Sequence, residues 1–535
     1  MKKFFLLLIP LFLSSINAQE KPKLVVGIVV DQMKMEYLYR FSEDFSENGF
    51  KRLMKDGYTF HNTHYNYMPT YTGPGHASIY TGTTPSVHGI VGNTWFNKSI
   101  GKEMYCTDDD KVATLGEGTD YEGKMSPKNL LSTTITDELK LATNFKGNVI
   151  GISLKDRGAI LPAGHFADWA FWYSKTGAFV SSTYYGEKLP DWVTQFNNEK
   201  NYEKYLNKEW SLFKPKEIYN ESLNDNNPYE GKLYKKTPFF PYNMKDMYAN
   251  NDAGVLRSTP FGNNLLGDFA MKVIEKEDLG KDNITDFLTV SFSSTDYVGH
   301  LLGPRSIELQ DTYLRLDQTI ADFLNYLDKN IGKNNYLVFL TADHAGAENV
   351  TYLKDNKYNV DQINSKKFIH DLETFSKEKY GENLLLNYSN SNIFFNKEII
   401  EASNLEMEEV KNSFKEFIYK QSFIRSVYTD SEILSNSGND IYLNAIAKGF
   451  DPIQNGELII LEKPGYLEYG ATGTTHGSPY TYDTHVPLLF YGWKIKPGAS
   501  YNKKEITQIA PTVALKLKIT LPSGTEAKVL EEILE

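Results

Sequence analysis

The sequence has a single cysteine, Cys106, in 535 residues. No intramolecular disulfide can form, so stability must come from a large core and from any bound metal. The lone thiol reads as a small buried hydrophobe. A long basic run is also missing. Lys and Arg number 57 against 68 Asp and Glu, a formal net charge of -11. A chain this acidic has no general attraction for nucleic acid, and an anionic ligand would need a local cluster of cations. Internal repeats, low-complexity tracts and Ser/Gly linkers are absent too, which excludes solenoids and strings of tethered modules.

Apolar runs of membrane-spanning length are lacking as well. Phe4–Phe12 follows the basic Met1–Lys3, is too short to cross a bilayer, and runs into Ser14–Ala18, mostly small and polar. This is the pattern of a secretory signal peptide over residues 1–18, cleaved near Ala18. It predicts an exported, periplasmic or secreted protein with no stable membrane insertion. No cysteine near the cleavage point offers a lipid anchor.

What is present is an ordinary globular composition, 41% hydrophobic and 23% charged, in a chain longer than one usual core. Several apolar, β-branched runs end in polar residues. Leu24–Val30 ends at Asp31, and Asn148–Ser153 precedes Lys155 and Arg157. Phe287–Phe292 leads to Asp296 and His300, Tyr336–Leu340 leads to Asp343 and His344, and Val486–Tyr491 follows His476 and His485. Continuous apolar runs mark strands covered on both faces, and helical patterns such as Ile307–Lys329 lie between them. The expectation is an α/β fold, a central mostly parallel sheet flanked by helices, with ligands beyond the carboxyl ends of the strands. Stretches of about 165–255 and 350–470 break the pattern and read as cap insertions in one catalytic domain over 19–535.

Three carboxylates (Asp31, Asp296, Asp343) and three histidines (His300, His344, His476) follow these strands without any thiolate. Singly, each reads better as a helix cap or a satisfied polar residue. Together they suit two metal ions about 4 Å apart, each with three protein ligands. The segment Met68–Gly89 is rich in Gly and hydroxyls. Gly73, Pro74 and Gly75 force a tight turn after Thr72, and the stretch beyond could open a helix toward an anion. A hydroxyl beside a metal can be an alkoxide near neutral pH. Turn chemistry alone does not choose among Thr70, Thr72 and Ser78. His76 and His88 are expected to hydrogen-bond across turns.

The segment T-G-P-G-H…T-G…P-S-V-H-G-I-V-G-N, with D-x-x-x-H, T-A-D-H and T-H-G in order, resembles the alkaline phosphatase superfamily. That group includes nucleotide pyrophosphatase/phosphodiesterases and phosphonoacetate hydrolases, and the nearest branch is the periplasmic phosphatases with a Thr nucleophile. The resemblance implies that Asp31, Thr72, Asp343 and His344 surround one zinc and that Asp296, His300 and His476 hold a second. It makes Thr72 the nucleophile and Asn93 a contact to a phosphoryl oxygen. It favours His476 over His485 as the last ligand. Lys155 and Arg157 are similar to the cation pair of the monoesterase type, although spacing alone would suggest surface ion pairs. A monoester dianion has three terminal oxygens to neutralise, one more than a diester.

The implied activity is alkaline phosphatase hydrolysis of small-molecule phosphate monoesters by a monomeric chain, with two Zn2+ and a covalent phosphothreonine. A phosphodiesterase on the same scaffold is the alternative. A sulfatase-like enzyme is disfavoured because Cys106 lacks the surrounding motif. A glycan- or metal-binding surface protein would draw on the 36 tyrosines, yet it leaves Thr72, Lys155 and Arg157 unexplained.

Overall fold

Leu24–Val30 (β1) is apolar throughout and buried at every position, which only a strand covered on both faces allows. A computed structural model describes residues 21–235 and 238–534 and places β1 in the middle of an 11-stranded sheet. The segment read as a signal peptide lies outside the described residues. The other strands are β2 (Tyr58–His64), β3 (Thr114–Leu115), β4 (Val149–Ser153), β5 (Trp169–Tyr173) and β6 (Phe179–Ser182). They continue with β7 (Asp286–Phe292), β8 (Tyr336–Thr341), β9 (His485–Gly492), β10 (Gly498–Ser500) and β11 (Lys504–Glu505). Their spatial order is β10-β2-β9-β8-β1-β7-β4-β5-β6-β3, with β11 also pairing β2.

The central run β8-β1-β7-β4-β5 is parallel. This is the expected mostly parallel α/β sheet. Val30 lies opposite Phe292, Val29 opposite Thr341, and Ser291 opposite Ser153, so four strands end in line and their following residues share one edge. β9 is antiparallel to β8 and β2. Residues that precede β9 therefore reach the same edge.

Helices α1 (Thr72–Thr81), α2 (Asp156–Ala163), α3 (Pro260–Lys276), α4 (Ser294–Leu302) and α5 (Ile307–Asn330) cover the sheet. α5 shows why such segments fold. The Ser306 side chain accepts from Leu309 N and caps its start, and Leu309, Tyr313, Leu316, Ile320, Phe323 and Leu327 bury one face at helical spacing. β5 and β6, within the 165–255 stretch, extend the main sheet before the chain leaves it.

Between 350 and 470 the chain builds a separate four-stranded antiparallel sheet from Leu385–Ser389, Asn392–Phe395, Ile424–Thr429 and Leu458–Glu462. It has its own core, including Ile393, Val410, Phe414 and Val427. The hairpin turn at Asn390–Ser391 has both residues at positive φ (51° and 59°). Asn390 Nδ2 donates to Thr94 O at 2.7 Å, tying that turn to the main body. Among the described residues no helix is long and apolar enough to cross a membrane.

Candidate active site

α1 begins at Thr72 itself, not after a turn. Gly73, Pro74 and Gly75 form the helix's first turn, where Pro lacks only an N–H that would be unpaired anyway. Gly75 is required by packing: a Cβ there would sit 2.1 Å from Asp343 O. The helix thus lies against the backbone that carries Asp343 and His344. All ten residues of α1 are buried. Thr72 Oγ1 stands 3.4 Å from His344 Nε2. The neighbouring hydroxyls are engaged elsewhere, Thr70 Oγ1 donating to Ser478 O at 2.9 Å and Ser78 Oγ bonded to His88 Nε2 at 2.9 Å.

His344 Nε2 lies 3.5 Å from both Asp31 Oδ1 and Asp343 Oδ2. On the other side, His300 Nε2 is 3.1 Å and His476 Nε2 is 3.8 Å from Asp296 Oδ1, and the two imidazole nitrogens are 3.2 Å apart. The His344 and His476 rings stack at 3.5 Å, joining the two groups. His344 can serve either: the tightest sets of three ligand atoms are Asp31–Asp343–His344 and Asp296–His344–His476. His485 stays out of both, bonded through Nε2 to His61 O at 2.9 Å and stacked on His64.

The three histidines are oriented alike. Nδ1 of His300, His344 and His476 faces the carbonyls of Thr474, Ala345 and Thr70 at 2.8, 2.9 and 2.7 Å. Each carbonyl fixes the Nδ1–H tautomer and leaves the Nε2 lone pair directed inward. Burial keeps His344 neutral, pulling its pKa down to about 3. Burial also pushes His476 well down, reinforced by His344 and His300. Asp31 Oδ1 and Asp343 Oδ2 are buried with no hydrogen-bond donor among the described residues, and Asp31 Oδ2 meets only the Lys155 ammonium at 2.7 Å. Inward imidazole nitrogens beside orphaned buried carboxylate oxygens are the donor set of a divalent metal pair. The residues present fit such ions.

Lys155 stands at the N-terminal end of α2, and its Nζ sits 2.7 Å from Asp31 Oδ2 and 2.6 Å from Asp296 Oδ2. Only the Asp296 contact has hydrogen-bond geometry. Burial, the largest influence, lowers the ammonium pKa, but Asp296 and Asp31 outweigh it and hold Lys155 above the usual lysine range. Arg157 Nη1 donates to Tyr105 OH at 2.8 Å, and Tyr105 OH donates to Asp156 Oδ1 at 2.5 Å. Asn93 Oδ1 accepts from Gly73 N at 2.7 Å, which turns its amide N–H groups away from α1's first peptide. The sequence reading missed Gln32. At φ 62°, its Nε2 donates to Asp296 Oδ1 at 2.7 Å and its N donates to Asp343 Oδ1 at 3.2 Å. A polar residue after a strand-end Asp looks like any turn, so nothing in the sequence marks it. Tyr105 was missed likewise, its only signal being the neighbouring Cys106.

The family model for type I phosphodiesterase / nucleotide pyrophosphatase matches residues 25–485. The chain belongs to that family, within the alkaline phosphatase superfamily. It is 44% identical to "Alkaline phosphatase PafA" of Elizabethkingia meningoseptica over 97% of this chain and 95% of that protein. The crystal structure of PafA superposes with a TM-score of 0.94, covering 97% of this chain and 100% of that chain. A protein of Myroides odoratus named "Calcium-transporting ATPase" is 45% identical over 96% of this chain and 95% of its own length. "Alkaline phosphatase PhoV" of Synechococcus elongatus is 42% identical over 98% of both.

Proposed function

We propose that the protein is an alkaline phosphatase, a phosphoric monoester hydrolase that acts through a phosphothreonine on Thr72. The observation that carries this reading is the placement of Thr72 Oγ1. It stands at the start of α1, 3.4 Å from a histidine that faces both ligand groups, while Thr70 and Ser78 spend their hydroxyls on other partners. Two zinc ions suit the ligands, with Asp31, Thr72, Asp343 and His344 holding one and Asp296, His300 and His476 the other. When bound, they supply positive charge and Lewis acidity beside the attacking and leaving oxygens.

The residues of the chain do the rest. Thr72 Oγ1 gives up its proton to solvent and attacks phosphorus in line, forming the Thr–O–P bond as the ester P–O bond breaks and the departing oxygen takes a proton from water to leave as the alcohol. Water then attacks the same phosphorus and Thr72 leaves as its hydroxyl. Asn93, oriented by Gly73 N, and the Lys155 and Arg157 cations neutralise the terminal oxygens through the transition state. Tyr105 braces the guanidinium of Arg157. The mature chain from residue 19 works as one catalytic domain and as an exported monomer, with the 350–470 insertion as its cap and the 165–255 stretch giving β5 and β6 to the main sheet.

A second reading follows from the family's own description: phosphodiester cleavage with the same Thr72 and ligands. Lys155 and Arg157 weigh against it, because a diester has one terminal oxygen fewer to neutralise. Comparison of aryl phosphate and bis-aryl phosphate turnover decides. Arg157→Ala lowers monoester kcat/KM by roughly 10²–10³-fold and diester kcat/KM far less; equal losses would contradict the monoesterase reading. Dialysis against a chelator abolishes turnover and zinc restores it.

A further inference from the structure

Beside His476 lies a cavity of about 180 Å³ between the main body and the cap. That is room for roughly six waters at about 30 Å³ each, or one small organic group. Tyr71 and His476 form its catalytic wall, their rings edge to face at 5.7 Å. Tyr71 directly precedes Thr72, and His476 belongs to the ligand group opposite it. The Asn390–Ser391 turn and Glu462 and Glu468 of the cap form the far wall.

The lining carries three carboxylates, Glu462, Glu468 and Asp483, against one lysine. Glu462 Oε1 accepts from Ser391 Oγ at 2.8 Å, and Glu468 Oε1 accepts from Tyr388 OH at 2.5 Å. Asp483 is wholly buried; its Oδ2 accepts from Ser478 N at 2.9 Å and Ser478 Oγ at 2.5 Å. Asp483 is among the residues that line the cavity, and its buried Oδ1 has no partner among the described residues. The lysine in the lining, Lys463, donates to Ser422 O at 2.6 Å. Tyr466, Tyr480 and Tyr482 complete an aromatic surround. Burial, then Glu468, pushes Glu462 up to about 7, and burial pushes Asp483 up to about 7 against the opposing hydrogen bonds from Ser478 and the charge of Lys34.

We infer that this cavity receives the alcohol portion of the substrate, and that it selects phosphate monoesters whose alcohol carries an ammonium group. The inference rests on the monoesterase reading above. In an in-line displacement by Thr72 the leaving oxygen departs on the side of His476, so its alcohol extends over that ring into the cavity. There three carboxylates attract a cation and tyrosine faces accept it, as they do for alkylated ammonium ions. Attack by Thr72 releases the cationic alcohol, and water then frees phosphate from Thr72, so no reactant other than water is needed.

The test uses the metal-loaded enzyme and a pair of isosteres, choline phosphate and 3,3-dimethylbutyl phosphate, which differ by N⁺ against C. The cationic ester has the higher kcat/KM by about tenfold. In the Glu462→Gln/Glu468→Gln variant that ratio falls toward one while the neutral ester is hydrolysed as before, which also shows that the variant folds. Free choline inhibits neutral-ester hydrolysis competitively in the wild type, and 3,3-dimethylbutanol does so far less. Equal kcat/KM for the two esters, or a preference that survives in the double variant, overturns this inference and leaves the monoesterase reading intact. Failure to hydrolyse either ester while a diester is cleaved overturns both.

Discussion

At the carboxyl edge of the main sheet, Asp31, Asp343 and His344 are wholly inaccessible and Lys155 nearly so. In the cap, by contrast, the interior is mostly apolar, as with Ile393, Val410, Phe414 and Val427, and a charge buried there is paired, as Lys411 is with Asp430 at 2.6 Å, while the lysine of the Lys367–Asp371 pair is 69% exposed. The cap follows the general rule that burying charge costs more than it returns. The sheet edge breaks it with several ionisable groups at once, some of their oxygens unpartnered. Where buried, unpartnered charge is gathered most densely, stability has been given up for chemistry.

That contrast can be broken by mutation. Thr72→Ala should cut monoester turnover by roughly 10⁴-fold or more, with metal content and thermal stability close to wild type. An unchanged rate would remove the reason for the buried charge. Asp343→Asn should leave the metal-free protein at least as stable as wild type, since burial and Asp31 push the Asp343 carboxyl well above the usual carboxylate range, yet abolish activity; a lower Tm in the chelated variant would show that the edge is not strained.

A third case lies between the regions. Burial, with Glu308 adding to it, pushes Glu230 up to about 9, and burial pushes Glu308 up to about 8. The folded state binds these protons more tightly than the unfolded chain, so their stabilising effect is full below the ordinary glutamate range and lost as pH rises through 8 to 9. Glu308→Gln should raise Tm at pH 9 by ~2 °C and leave it unchanged at pH 4; thermal melts across that range check it. The smallest effect belongs to the cap surface, where Lys367→Ala should cost no more than about 0.5 kcal/mol by denaturant titration.

Much of this was legible in the sequence because β1, β4, β7 and β8 are buried on both faces and therefore read as unbroken apolar runs. Asp31, Lys155, Asp296, Asp343 and His344 stand just beyond them, and a parallel register brings such residues together. His476 was harder, because it precedes an antiparallel strand and reaches the edge from the opposite direction. The tight turn expected after Thr72 is the first turn of α1, since Gly-Pro-Gly is compatible with both and only packing against Asp343 decides. Gln32 and Tyr105 could not be read at all. Their contacts to Asp296, Asp343 and Arg157 span long sequence separations, and neither residue type is unusual where it stands.

The most direct measurement is to quench the metal-loaded enzyme in acid during steady turnover of an aryl phosphate and map the phosphoryl group by peptide mass spectrometry. A phosphoryl group on Thr72, absent from Thr72→Ala, is the predicted result. Phosphate on Thr70 or Ser78, or a burst of product with no phosphorylated peptide, would contradict the account.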